Sequence, residues 1–237
     1  SVGFSKSNEA TGLGGGGVNQ NYALGAYLSA PYISPSEYVS SQQLFDLYNS
    51  DGTLLYSPLM LIDKSRTYHN NTDETRLVGS AEVSYEIFKN LTFLSRTSAE
   101  LIENRFTQST PPLSFNGLVF RNPAAEFGGS EDINNRRDFS FNHLFQLNYG
   151  VTFAEKHRIN LTAFTEYNLN QLEANNVRQN GLNPATFVPG TGSGYLPDIG
   201  THDFYGMSGN ATKLINNQIS YFGVADYDFD KRFGVMG

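Results

Sequence analysis

The sequence has no cysteine, which excludes disulfides, thiolate metal sites and thiol nucleophiles together. It also lacks any apolar run of about 18 residues, the least that a transmembrane helix needs. A β-barrel is not excluded, because only alternate residues of its strands meet lipid and a mean hydropathy of −0.38 suits one. Cations are scarce: 16 Lys and Arg stand against 23 Asp and Glu, for a net charge of −7 and a pI near 5.1. There is no basic stripe to neutralise phosphates, so nucleic acid is excluded as a partner, and no polybasic segment for an anionic membrane surface. The four histidines, His69, His143, His157 and His202, show no ligand spacing. The triplet Asp226, Asp228 and Asp230 has Lys231 where a calcium loop needs glycine. No metal or cofactor is expected. Gly14 to Gly17 lacks the Lys-Ser/Thr of a phosphate loop, and no Gly-x-Ser-x-Gly elbow exists, so no enzyme chemistry is expected either.

What is present is alternation. From Phe139 to Phe153 the odd-numbered residues are apolar or aromatic, with His143 as the exception, and those between are nearly all small or polar. After Ala154-Glu155-Lys156 the same period of two resumes through Ile159, Leu161, Ala163, Thr165, Tyr167 and Leu169. Such strands exceed the roughly 5–6 residues usual in soluble domains and meet the roughly 9–11 needed to cross a bilayer. Aromatics toward both strand ends resemble interfacial girdles more than a soluble core.

Along the chain, strands are expected at about 1–7, 75–87, 91–103, 138–153, 157–170, 217–229 and 233–237, with loops at about 8–74, 104–137 and 171–216. Within the first loop, Ser36 to Tyr48 reads as a short helix with Ser34 as N-cap, Pro35 at N1, and Leu44, Phe45 and Tyr48 on one side. Strand pairs are joined by about three residues at one end and about thirty to sixty at the other. That contrast is foreign to compact soluble domains and usual in outer-membrane barrels, with short periplasmic turns and long extracellular loops. The fold expected is all-β: part of a membrane-spanning antiparallel β-barrel. Odd residues from Leu77 to Phe229 face acyl chains and even ones, among them Arg76, Glu82, Arg96, Glu100 and Glu166, face the lumen. Seven strands cannot close an even-numbered barrel, so the chain reads as an internal fragment.

The hairpin Ile219-Ser220-Tyr221-Phe222-Gly223 with Asp226-Tyr227-Asp228-Phe229-Asp230-Lys231-Arg232-Phe233 resembles that of SusC/RagA-type TonB-dependent transporters of Bacteroidetes. Leu47-Tyr48-Asn49-Ser50-Asp51-Gly52-Thr53 with Ser57-Pro58-Leu59 resembles one of their loops, with Ser57 where Asn is usual, and the turns at Lys89-Asn90 and Lys156-His157 match their style. The resemblance implies a barrel of about 22 strands with a plugged lumen, whose plug and remaining strands lie outside this chain. It further implies TonB-driven import of glycans or peptides across the outer membrane, with a SusD-like surface lipoprotein over the loops. A β-rich surface adhesin or glycan-binding module without transport is the alternative. Loop aromatics Phe115, Phe120, Phe187 and Tyr195 are the ligand-contact candidates, because sugars and peptides both stack on exposed rings; packing of loops against one another is the competing role.

Overall fold

A computed structural model describes residues 2–10, 21–28, 33–51, 56–197 and 205–237. Gly12, the run Gly14 to Gly17, Pro31, Gly52, Thr53 and His202 lie outside these residues. Seven strands form one sheet in chain order: β1 (Val2–Ala10), β2 (His69–Phe88), β3 (Leu91–Thr110), β4 (Ser130–Phe153), β5 (His157–Asn180), β6 (Met207–Phe229) and β7 (Phe233–Met236). Every neighbouring pair is antiparallel, and the β4–β5 register runs unbroken from Ser130 opposite Asn180 to Phe153 opposite His157. Tight turns close one edge at residues 89–90, 154–156 and 230–232. Ala154 and Glu155, like Asp230 and Lys231, take the left-handed conformation there.

At the opposite edge the strands run farther than alternation alone indicates. β3 continues to Thr110 and β4 starts at Ser130, inside the stretch 104–137 that reads as loop; β5 extends to Asn180, and β6 begins at Met207. The reason is chemical. Beyond the apolar band both faces of these strands carry polar residues, such as Glu131, Asp132, Asn134, Asn135, Arg136 and Arg137, so pairing persists without a hydrophobic period.

The two faces differ sharply along the lower half. Odd positions bear exposed apolar groups: Phe145 is 44% exposed, Leu147 42% and Leu161 45%, all three outside any packed core. Rings pair along this face, as Phe93 stacks with Phe145 at 5.9 Å. His143 lies among them, its Nδ1 2.6 Å from the Thr97 hydroxyl and its ring edge-on to Phe145. Even positions carry a polar lattice: Arg96 pairs with Glu82 at 2.6 Å, Arg76 with Glu100, and the Asn142 amide donates to Glu166 and Asn168. The stacked pair Phe164 and Phe222, at 4.9 Å, is an apolar exception there. The apolar band on the odd face ends at one row of facing residues, Glu103, Arg137, Glu173 and Lys213, in register across β3 to β6. Arg137 lies 3.5 Å from Glu103, and Lys213 2.6 Å from Glu173.

The hydrophobic core sits beyond this sheet edge, in helices that the long connections build. These are α1 (Tyr22–Leu28), a 3-10 turn (Pro35–Glu37), α2 (Ser41–Asp51), α3 (Ser57–Thr67) and α4 (Phe115–Val119). The single helix expected over Ser36 to Tyr48 is two elements. Ser34 and Glu37 form a reciprocal capping box on the 3-10 turn, Tyr38 is extended, and Ser40 caps α2 by accepting from the Gln43 N–H. Leu44 from α2, Leu59 and Met60 from α3, and Phe115 from α4 meet as the buried cluster.

Asp63, 1% exposed, fastens these pieces. It accepts from the Tyr38 hydroxyl at 2.8 Å, from the Ser41 hydroxyl, and from the Phe115 N–H at 2.9 Å. Asp63→Ala strands those donors in a water-poor site and is expected to cost about 2–3 kcal/mol of local stability. Faster hydrogen–deuterium exchange across α2 and α4, with the strands unchanged, checks this.

Candidate functional site

Two assemblies flank the far edge of the sheet, one on each face. On the even face α3 and α4 stand over the ends of β3, β4 and β5 and enclose a cleft of about 470 Å³. The strands contribute Gln108, Asp132, Arg178 and Asn180, all in even phase, and the helical side contributes Lys64, Asn116 and Phe120. Lys64 is 6% exposed, with its ammonium 4.8 Å from the centre of the Tyr68 ring, and burial pushes its pKa down. Arg178 lies 3.9 Å from the Asp132 carboxylate, and the Arg121 guanidinium donates to the Glu126 carbonyl at 3.0 Å. Three cations thus border one carboxylate. Glycine permits the close packing beneath: a Cβ on Gly128 would lie 2.1 Å from the Gly117 carbonyl oxygen. The Tyr205 hydroxyl accepts from the Glu126 and Phe127 N–H groups and ties this wall to the start of β6.

On the odd face residues 181–197 fold back as a small hairpin, bridged at Leu182 with Tyr195 and at Val188 with Ser193. Its anchor is Glu131, which has no exposed surface. The carboxylate accepts from the Ser109 hydroxyl at 2.7 Å, the Gly190 N–H at 2.7 Å and the Tyr195 hydroxyl at 2.5 Å, while Arg105 donates to the Gly190 carbonyl. Gly190 has φ 74, a conformation that glycine adopts without strain.

The four candidate aromatics are not brought together. Phe120 is 64% exposed at the cleft. Phe115 is 1% exposed and edge-on to Tyr48 at 5.6 Å, so it packs the helices and presents no surface to a ligand. Phe187 and Tyr195 belong to the hairpin on the other face, where the Tyr195 hydroxyl is committed to Glu131. Sequence reasoning missed Lys64, Arg121, Arg178 and Glu131. Strand parity carried past Phe139 would have placed Arg178 and Asp132 on one face, and Pro58 followed by Leu59 to Ile62 is a helix start that would have located Lys64.

An antiparallel sheet whose apolar face is exposed and whose other face carries a polar lattice has the make-up of a membrane-spanning β-barrel wall. Solved structures agree. The RagAB peptide transporter aligns at TM-score 0.60 and 15% identity over 76% of this chain and 18% of that chain. The RagAB peptide importer aligns at 0.56 in its closed-closed state, with 16% identity over 72% of this chain and 17% of that one. Its open-open state gives 0.56 and 15% identity over 70% and 17%. The chain therefore has the fold of a segment of the RagAB chains it aligns with and spans less than a fifth of their length. No protein-family model matches it, and no curated protein matches it in sequence.

Burial first, and then the Glu131 carboxylate, hold the Tyr195 phenol above its ordinary value near 10. A raised folded-state value means that the hairpin's stabilisation is whole below pH 10 and is lost as pH rises past the raised value. Glu131→Ala is expected to speed amide exchange at residues 188–193 and to return the Tyr195 titration, read as tyrosinate absorbance against Tyr195→Phe, toward the ordinary range.

Proposed function

We propose that this chain is part of the wall of an outer-membrane active importer of oligomeric nutrients, peptides or glycans, and not an enzyme. The observation that carries the reading is the exposed apolar band on the odd face, bounded above by the Glu103, Arg137, Glu173 and Lys213 row and below by Phe153, His157 and Phe229 near the tight turns. From Phe139 to Phe153, at about 3.3 Å per residue and a tilt near 45°, the band is about 33 Å tall, close to the roughly 30 Å hydrocarbon core. In soluble surroundings so large an apolar surface would aggregate. The likeness to RagAB structures supports transport as the role.

In this reading the tight turns face the periplasm, and the helices and the 181–197 hairpin face the exterior beneath a SusD-like lipoprotein. The even face lines an aqueous lumen holding a plug, and TonB supplies the work. Ligand capture at the outer rim precedes passage through the wall, each state stabilised only by its differential contacts.

Phe145→Arg or Leu147→Arg, toward lipid, is expected to cost about 2–4 kcal/mol and remove the heat-modifiable folded band from the outer-membrane fraction. Gln146→Arg, toward the lumen, should leave that band. Equal tolerance of all three would refute the wall. Surface binding of ligand without uptake would favour the adhesin alternative.

A further inference from the structure

We propose that the cleft between α3, α4 and the ends of β3 to β5 is a subsite for a carboxylate group of an oligomeric ligand, held by Lys64, Arg121 and Arg178 with Phe120 as a stacking ring. This rests on the importer reading and narrows its substrate class. In a chain of net charge −7, three cations around one acid make a local reversal of sign. A concave, partly dry wall of one sign focuses its field and concentrates counter-ions.

Both arginines retain capacity for a ligand. The Arg178–Asp132 pair is long at 3.9 Å, and Arg121 spends one of its five N–H donors on the Glu126 carbonyl. Asn116 lines the cleft as well, and its buried Oδ1 atom has no hydrogen-bond partner among the described residues. The Asp132 carboxylate disfavours a doubly charged phosphate relative to a singly charged group. A volume of about 470 Å³ admits a few units of an oligomer, and exposed Phe120 offers a ring to the unit beyond.

The test is calorimetric, on the intact protein in detergent. One pair of probes is a tetrapeptide rich in glutamate and its glutamine counterpart; the other is trigalacturonate and its methyl ester. At least one acidic probe should bind about tenfold or more tightly than its neutral counterpart, with the preference shrinking as salt rises. Which pair discriminates identifies the source of the carboxylate. The double variant Arg121→Gln and Arg178→Gln should abolish the preference while the heat-modifiable band persists, which separates lost recognition from lost folding. Equal binding of acidic and neutral probes, no binding of either acidic probe, or a preference surviving in the double variant would overturn the subsite. Those results leave the importer reading standing if Phe145→Arg and Gln146→Arg still separate; failure of that separation sinks the importer itself.

Discussion

A backbone amide without access to water must find a carbonyl on the neighbouring strand, and that requirement governs this chain. Six antiparallel ladders meet it, and the register shift between Glu86 and Phe88 is confined to the end of β2 beside the Lys89-Asn90 turn. Because from β2 onward, Phe88 opposite Leu91 aside, odd residues pair with odd and even with even, the apolar band keeps to one face across the sheet. A slip of one residue in any ladder would put Phe145 or Leu147 among the Asn and Gln side chains of the opposite face.

How much was legible in the sequence follows from what alternation measures. It reports a difference in polarity between two faces, so it located the hairpin of β4 and β5 and the face of each residue where one side is apolar and the other wet. It is blind where both sides are wet. There β3, β4 and β5 continue as strands, yet Arg136 and Arg137, or Asn134 and Asn135, resemble loop residues. The helices were harder still. Their apolar residues meet across separate connections, Leu44 and Met60 from one and Phe115 from another, so no single window holds the pattern. The cleft inherits both difficulties, since its cations come from a helix, a loop and a strand end.

The far edge has a division of labour that the band below it lacks. Successive residues Glu131 and Asp132 point to opposite faces: one anchors the hairpin of residues 181–197, the other joins Arg178 at the cleft. The buried carboxylate is satisfied by three donors, as a charge removed from water must be. Among the described residues the carboxylate at the cleft has only a long ion pair, and the Asn116 oxygen has no partner. Polar groups are closed off on one side of the strand and left partly open on the other, where a binding surface has use for them.

Thr67 ends α3 and His69 begins β2, so Tyr68 alone joins helix to strand. A joint of one residue has no slack. The helix axis is steered by the strand it enters, and lengthening the chain at this point would swing Lys64 away from Arg178. Tolerance for insertions must lie in the connections between helices, leaving the junction itself as the rigid hinge-post on which the whole cap is hung.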